Sequence, residues 1–210
     1  MRLAMCIVFL AIPAAGLAQT WEAGGAAGAG FARGVTVTNA TGRARAGFAN
    51  SPAFGVYIGQ NLHKYVGGEI RYTYRPGDLS LSSGPTRATF DGQSHLIHYD
   101  VLVHVKPAGS RIRLFLAAGA GARVFRGTGR EAAYQPLQQF ALLTKTQEAK
   151  PLVSLGAGVK AAVSPRLVLR VEFRDYISPF PTQVITPAIG SKLGGWLHDI
   201  VPFIGVAVRL

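Results

Sequence analysis

Two histidines and an aspartate stand at even spacings in one alternating segment, with His98 and Asp100 two residues apart and His104 four residues further on. Imidazole and carboxylate side chains in this pattern could transfer a proton or bind a metal ion. Residues i and i+2 of a β-strand share a face but lie about 6.6 Å apart. His98 and Asp100 would therefore need a ligand from another element to hold one ion. The spacing favours a polar network, and we predict no metal site.

A second set of residues, Ser94, His95 and His198, could serve hydrolysis or transfer of an acyl group, because that chemistry uses a serine activated by a histidine. The sequence shows no convincing Ser–His–acid pattern around them. Histidines near the edge of a membrane protein commonly extend their rings toward the interface instead. We therefore predict that the protein is not an enzyme, has no catalytic residue and binds no cofactor.

The elements that would position these side chains show a period of two, which predicts β-strands. In the clearest of them, Val66, Ile70 and Tyr72 share one face, and Glu69 and Arg71 share the other. Tight connections after the second, fourth and sixth strands alternate with four connections of about 15 to 23 residues. The eight candidate strands cover residues 20–31, 47–61, 65–75, 94–106, 111–126, 150–163, 166–178 and 197–210.

This pattern predicts an all-β fold, an eight-stranded antiparallel up-and-down transmembrane β-barrel with short periplasmic turns and four long extracellular loops. A soluble barrel would alternate in the same way, with its apolar face inward. Strands of ten or more residues match a tilted bilayer crossing. The ionisable residues on the apolar face, His95, Asp175 and His198, all fall near the loop end. The apolar face is therefore predicted to point toward lipid.

The start of the chain predicts export. Residues 1–18 have the pattern of a cleaved signal peptide, with Arg2 before an apolar stretch and a small-residue cleavage site before Gln19. Residues 19–210 would then form one barrel domain without cysteine, since Cys6 is the single one. Hydrophobic residues make up 49% of the chain and charged residues 15%, a balance typical of membrane barrels. The predicted location is the bacterial outer membrane.

The polar face of the strands carries both signs of charge. An eight-stranded barrel is just wide enough for side chains to fill it, and buried charges are costly unless they are paired. We therefore predict an ion-pair and hydrogen-bond network that plugs the lumen, with Glu22, Arg123 and Asp199 sharing its inward parity. The predicted members are Tyr57, Glu69, Arg71, His98, Asp100, His104, Arg113, Lys160, Arg170, Glu172 and Arg174.

The tight turn between the second and third strands gives a prediction of register. If residues 62–64 form this turn, Tyr57 lies opposite Glu69, and Gly55 lies opposite Arg71. The first pair would offer a phenol donor to the carboxylate, and the second would leave space for the guanidinium.

The last strand and two inner segments resemble a known family. Gly205, Val208 and Leu210 match the carboxy-terminal assembly signal of outer-membrane barrels, although the final residue of that signal is usually aromatic. Residues 67–72 and 171–176 are similar to strands of small eight-stranded barrels that include the membrane half of OmpA-like proteins, the outer membrane protein beta-barrel domain family. The resemblance implies a structural or surface protein that the outer-membrane assembly machinery inserts. Because the chain ends at the eighth strand, we expect no periplasmic peptidoglycan-binding domain.

The net charge of +12 is typical of a solvated basic surface or of one that binds phosphate-bearing lipid headgroups, and nucleic acid is not expected for an exported chain. Seven cations fall in the long connections and would form a basic crown at the outer end of the barrel. They could bind lipopolysaccharide phosphates or an external partner, or simply be solvated. The crown comprises Arg43, Arg45, Arg87, Arg126, Arg130, Lys145 and Lys192.

Three functional hypotheses follow from these features. The first is a monomeric outer-membrane barrel with a structural or surface-interaction role, surrounded by lipid and lipopolysaccharide. The alternative is a narrow pore for ions, water or small solutes. A less favoured alternative is a lipid-A-modifying barrel enzyme.

Overall fold

The computed structural model describes residues 21–210, so the predicted signal peptide and Cys6 lie outside the described residues. Within residues 21–210, no helix is long and apolar enough to cross a membrane. The strands are, in chain order, β1 (Trp21–Arg33), β2 (Val35–Asn39), β3 (Gly42–Phe48), β4 (Ser51–Asn61), β5 (Val66–Pro76), β6 (Leu79–Ser83), β7 (Thr86–Phe90), β8 (Gly92–His104), β9 (Ile112–Gly127), β10 (Ala141–Leu143), β11 (Gln147–Ala162), β12 (Leu167–Pro179), β13 (Ile185–Pro187) and β14 (Trp196–Arg209).

Eight of these strands close into a barrel in the order β1-β14-β12-β11-β9-β8-β5-β4. All neighbouring pairs are antiparallel, and β1 pairs with both β4 and β14. Every barrel strand therefore has a partner on each side, as a sheet in hydrocarbon requires. The prediction of an eight-stranded up-and-down barrel is confirmed, including its all-β character.

The two faces of each barrel strand differ sharply in exposure. In β5, Ile70 is 58% exposed and Tyr72 is 40% exposed. The alternating residues Glu69 and Arg71 are each 1% exposed or less. The same alternation continues around the barrel: exposed apolar residues cover the outer surface, and the interior holds the charged residues together with buried apolar ones such as Leu96, Leu152 and Phe203. The prediction that the apolar face points outward is confirmed.

The predicted register between β4 and β5 is wrong by two residues. Tyr57 lies opposite Arg71 instead of Glu69, and Gly55 lies opposite Thr73 instead of Arg71. The cause is the turn, in which the backbone N–H of His63 donates to the carbonyl of Val66 at 2.9 Å. With this bond the turn is centred on Lys64 instead of His63. A shift of the centre by one residue shifts the pairing of the two strands by two residues. Because the shift is even, each side chain keeps its predicted face.

Short turns lie at one end of the barrel, and the four long connections at the other end contain further strands. Strands β2, β3, β6 and β7 form a four-stranded antiparallel sheet in that order, and β10 pairs with β13. One residue separates β1 from β2 and β7 from β8, and two residues separate β3 from β4 and β5 from β6. The four-stranded sheet is therefore a direct continuation of the barrel wall beyond its loop end.

The long connections share a buried apolar cluster, which we call the lid core. Alternate residues of β3, β6 and β7 point into it, and residues from the other two long connections and from the upper ends of β9 and β14 complete it. The predicted loops are thus folded structure with their own hydrophobic interior. The lid core consists of Val37, Ala44, Ala46, Phe48, Leu79, Leu81, Ala88, Phe90, Phe125, Leu137, Phe140, Ala141, Leu143, Phe180, Val184, Ile185 and Leu197.

Gly119 allows β9 to lie close to β8, which gives the first prediction. A Cβ placed on Gly119 would overlap the carbonyl oxygen of Tyr99 and the Asp100 carboxylate, with the Asp100 Cα at 2.8 Å. We expect Gly119→Val to lower the free energy of unfolding by about 2 kcal/mol or more, since overpacking against backbone forces strands apart. Urea unfolding in lipid vesicles measures this change.

Ala118→Val is the matched control, because Ala118 neighbours Gly119 in β9 but faces outward and is exposed. We expect it to change the unfolding free energy by less than about 0.5 kcal/mol. Equal effects of the two substitutions would contradict the close packing at Gly119.

Candidate functional site

The interior of the barrel is the first candidate site, and inward-facing residues of all eight barrel strands supply its polar groups. The structure brings the predicted lumen residues into one buried region, and none of them is more than 7% exposed. They are Tyr57 on β4, Glu69 and Arg71 on β5, His98, Asp100 and His104 on β8, Arg113 on β9, Lys160 on β11, and Arg170, Glu172 and Arg174 on β12.

Two glutamates at the middle of the lumen are each held by several arginines. Arg71 Nη2 lies 2.9 Å from Glu69 Oε1 and 2.5 Å from Glu172 Oε1. Arg170 also contacts both carboxylates, pairing with Glu69 Oε2 and lying 2.8 Å from Glu172 Oε2. Arginine forks suit such multiple contacts because several N–H groups lie in one plane. The four side chains therefore cross-link β5 to β12 through the barrel interior.

Arg174 extends this group toward β8. Its Nε lies 2.9 Å from Glu172 Oε2, and its Nη1 lies 2.7 Å from Asp100 Oδ2. The Nδ1 of His98 is 3.1 Å from the same Asp100 oxygen, and Arg174 also donates to the hydroxyl of Ser154 at 3.2 Å. His98 and Asp100 thus belong to the central polar network.

Smaller ion-pair groups lie above and below the centre. Toward the turn end, Lys160 Nζ lies 2.6 Å from Glu22 Oε2. Toward the loop end, Asp199 pairs with Arg75 and lies 2.9 Å from Arg123 Nη2. Sequence reasoning omitted Arg75 from the lumen set, although it has the same parity as Arg71 in β5 and could have been found by that signal.

Aromatic side chains pack against the lumen arginines and fill much of the remaining space. The Arg71 and Arg170 guanidinium carbons each lie 4.8 Å from the centroid of the Tyr57 ring, and Arg170 lies 4.6 Å from that of Phe115. A cavity beside Glu22 and Lys160 measures about 10 Å³, which is close to the space that one water molecule needs.

Within residues 21–210, no group of three or more histidine, cysteine, aspartate or glutamate side chains is placed to hold a metal ion. His104 lies apart from His98 and Asp100, with its ring centroid 5.9 Å from that of Phe115.

The side chains of the three residues considered for acyl chemistry do not converge on one point. Ser94 points inward and accepts a hydrogen bond from Arg123 at 3.1 Å. His95, on the opposite face of β8, has its Nδ1 2.7 Å from the hydroxyl of Tyr72. His198 lies at the outer rim, with its Nδ1 2.9 Å from Asp175. The geometry does not place Ser94 beside either histidine as a nucleophile would require.

The second candidate site is the basic crown, which the structure divides among separate surfaces. Arg43, Arg45 and Arg87 lie on the outward face of the four-stranded sheet. Arg126 and Lys145 line a surface cavity of about 310 Å³ at the loop end of β9 and β11. Arg130 follows β9, and Lys192 lies beside β2, where its backbone exchanges hydrogen bonds with Thr38. None of the seven side chains forms an ion pair with a carboxylate of the described residues.

The residues of the predicted assembly signal lie on β14 or directly after it, at the turn end. Gly205 faces inward, and a Cβ there would be 2.7 Å from the carbonyl oxygen of Gly25. Val208 is 43% exposed and Leu210 77% exposed on the outer surface. The Leu210 N–H donates to the carbonyl of Trp21 at 2.9 Å, which joins the two ends of the barrel sequence.

Solved structures that match the fold include three bacterial proteins. Neisserial surface protein A has 12% sequence identity and a TM-score of 0.58, and the match covers 91% of this chain and 97% of that chain. The attachment invasion locus protein Ail of Yersinia pestis has 10% identity and a TM-score of 0.49, covering 91% and 98%. The N-terminal barrel of Pseudomonas aeruginosa OprF has 14% identity and a TM-score of 0.44, covering 90% and 97%. At these identities, the match to Neisserial surface protein A supports the fold alone.

No curated protein matches the chain. The family model described as outer membrane protein beta-barrel domain matches residues 4–182, which is most of the sequence and includes seven of the eight barrel strands in full together with the start of the connection to the last. With the closed barrel and its apolar outer surface, this match establishes that the chain belongs to the outer membrane protein beta-barrel domain family.

Proposed function

We propose that this protein is a non-enzymatic surface barrel of the outer membrane, whose lumen is plugged and whose folded loops interact with anionic partners outside the cell. The observation that carries the proposal is the filled interior, in which arginines and carboxylates occupy the path that a solute would take. The cleaved signal peptide over residues 1–18, insertion by the assembly machinery through Gly205, Val208 and Leu210, and the monomeric state are parts of the same proposal.

The case for a plug rests on the energetics of the central network. Glu69 and Glu172 contact Arg71, Arg170 and Arg174 across the lumen. To pass, a hydrated ion would have to separate these pairs and leave charges without partners, which costs several kcal/mol per pair in a poorly solvated interior. The network therefore acts as a barrier as well as a brace.

The case for a surface role rests on the lid core and the crown. A buried apolar cluster under the loops holds them in one conformation, and a rigid surface loses less conformational entropy when it binds a partner. Cations that have no carboxylate partner among the described residues remain available to anionic groups. Loops of this kind favour recognition at the cell surface over transport through the barrel.

The plug predicts the behaviour of the protein in planar bilayers. We expect the purified, folded barrel to show no reproducible single-channel steps, because the paired side chains block the lumen. A general porin inserted into the same bilayers would serve as the positive control. Regular conductance steps that disappear when the lumen is filled near Arg71, for example by Gly55→Trp, would instead establish the narrow pore.

The network also predicts a large stability effect from a single buried carboxylate. Glu69→Ala leaves Arg71 and Arg170 without one of their two central partners, and we expect it to lower the free energy of unfolding by about 3–5 kcal/mol. Urea unfolding in lipid vesicles, followed by the heat-dependent shift of the folded band on gels, measures the change.

Asp78→Asn serves as the control, because Asp78 is an exposed carboxylate at the loop end and its side chain forms no ion pair within the described chain. Its expected effect is below about 0.5 kcal/mol. A small and equal effect of both substitutions would show that the central network does not brace the barrel.

A further inference from the structure

The outward face of the four-stranded sheet has an unusual composition. The opposite face of the same strands packs into the lid core, whereas the outward face carries hydroxyl and guanidinium groups and no carboxylate. This polar face consists of Thr36, Thr38, Arg43, Arg45, Gly47, Ser80, Ser82, Arg87 and Thr89.

The register of the sheet aligns part of this face into one row. Arg45 of β3 lies directly opposite Ser82 of β6, and Ser82 lies directly opposite Arg87 of β7. On the other side, Thr36 of β2 lies opposite Arg45. Adjacent strands are about 4.8 Å apart, so the two arginine Cα atoms flank Ser82 at about 10 Å from each other. Two long side chains at this spacing can converge on one anion above the serine hydroxyl.

The surface at the row is concave and open to a ligand. A cavity of about 250 Å³ is lined by Arg45, Ser82 and Arg87 together with Gly34 and Gly47. The Arg45 side chain lies over Gly34, where a Cβ would be 3.2 Å from its Nε. Neither arginine forms an ion pair with a carboxylate in the described part of the chain. Planar guanidinium groups beside a hydroxyl suit the oxygens of a phosphate group.

The row faces the surrounding membrane rather than the barrel axis. Ser80 and Ser82 have the same parity as Tyr72 and Tyr74 on the lipid-facing side of β5, and only residues 77 and 78 separate β5 from β6. Likewise, Arg87 has the parity of the outward-facing His95, across a single residue between β7 and β8. The polar face is thus the upward continuation of the lipid-facing surface.

The height of the row above the membrane selects the type of lipid. Tyr72, Tyr74 and His95 pack together on the outer surface and mark the interfacial aromatic girdle. Ser82 follows Tyr74 by eight residues, or about 26 Å of strand, which at a tilt near 40° sets it about 20 Å beyond the girdle. Phospholipid headgroups reach only about 5–8 Å beyond the hydrocarbon, so the row lies at the level of a large sugar headgroup.

We propose that the Arg45–Ser82–Arg87 row binds a phosphate group on the sugar headgroup of an outer-leaflet glycolipid, with Thr36 extending the site. This inference rests on the proposed surface role and names its ligand: a phosphorylated lipopolysaccharide molecule standing beside the barrel. The four-stranded sheet then binds the lipopolysaccharide molecules that stand beside the barrel in the outer leaflet. The remaining crown cations are not needed for this contact.

The test compares two double variants of equal charge. Arg45→Gln with Arg87→Gln removes the row, whereas Arg126→Gln with Lys145→Gln removes the same charge from the separate cavity at the loop end of β9 and β11. Each folded protein is placed in phosphatidylcholine vesicles with or without lipopolysaccharide that carries phosphorylated core sugars, and the temperature at which the compact band is lost on gels is measured. A ligand that binds only the folded state raises this temperature.

We expect the lipopolysaccharide to raise the transition temperature of the parent protein and of the Arg126/Lys145 variant by several degrees. In the Arg45/Arg87 variant, the increase in transition temperature should be at most half of that in the parent protein. The parent should show a similarly reduced increase when the lipopolysaccharide is treated with phosphatase. Phosphatidylglycerol, whose phosphate lies near the acyl chains, should give no shift that depends on the row. Arg45→Lys with Arg87→Lys, which keeps the charge and loses the planar fork, should give an intermediate rise.

Three results would overturn the inference. Equal losses in the two charge-matched variants would show general attraction to the whole crown, which contradicts the row and leaves the proposed surface role standing. An equal rise with inorganic phosphate alone would assign the site to a soluble anion instead of a glycolipid. No rise in the parent protein would exclude glycolipid binding by the row, while the plugged-barrel proposal is decided separately by the bilayer conductance.

Discussion

The pairing of β1 with β14 is the interaction on which the rest of the structure depends. In hydrocarbon, an unpaired strand edge would leave a row of N–H and C=O groups without partners, and this pairing removes the last edge. Closure with eight strands also sets the interior width, so that side chains must fill the lumen. Gly24 and Gly28 in β1 fit this geometry, because a Cβ at either position would overlap Tyr57 or Phe203 and their neighbours.

Alternation along the strands made most of the barrel predictable from the sequence. A period of two determines which residues face inward, and an even register shift cannot change that face. The inward positions of Glu69, Arg71 and Glu172 could therefore be predicted, although their partners could not. Which arginine meets which carboxylate depends on the stagger between strands and on long-range contacts, such as that between β5 and β12, and one turn hydrogen bond at His63 was enough to change the stagger.

The folded structure of the four long connections was not predictable in the same way. Its strands are three to seven residues long, too short for alternation to stand out from ordinary loop sequence. Their apolar residues become a core only when four separate connections meet. The same non-local pairing decides the arrangement of the crown, because Arg45 and Arg87 belong to different connections and are brought into one row by β6.

The four-stranded sheet has a consequence for how this surface is recognised by other molecules. Its outward face joins β2 and β3 from the first long connection to β6 and β7 from the second, with the whole of β4 and β5 between them in sequence. An antibody that covers the face meets a discontinuous epitope. A short peptide copied from either connection lacks half of the contact surface and the apolar support beneath it, so it cannot reproduce the antigenic shape of the folded protein.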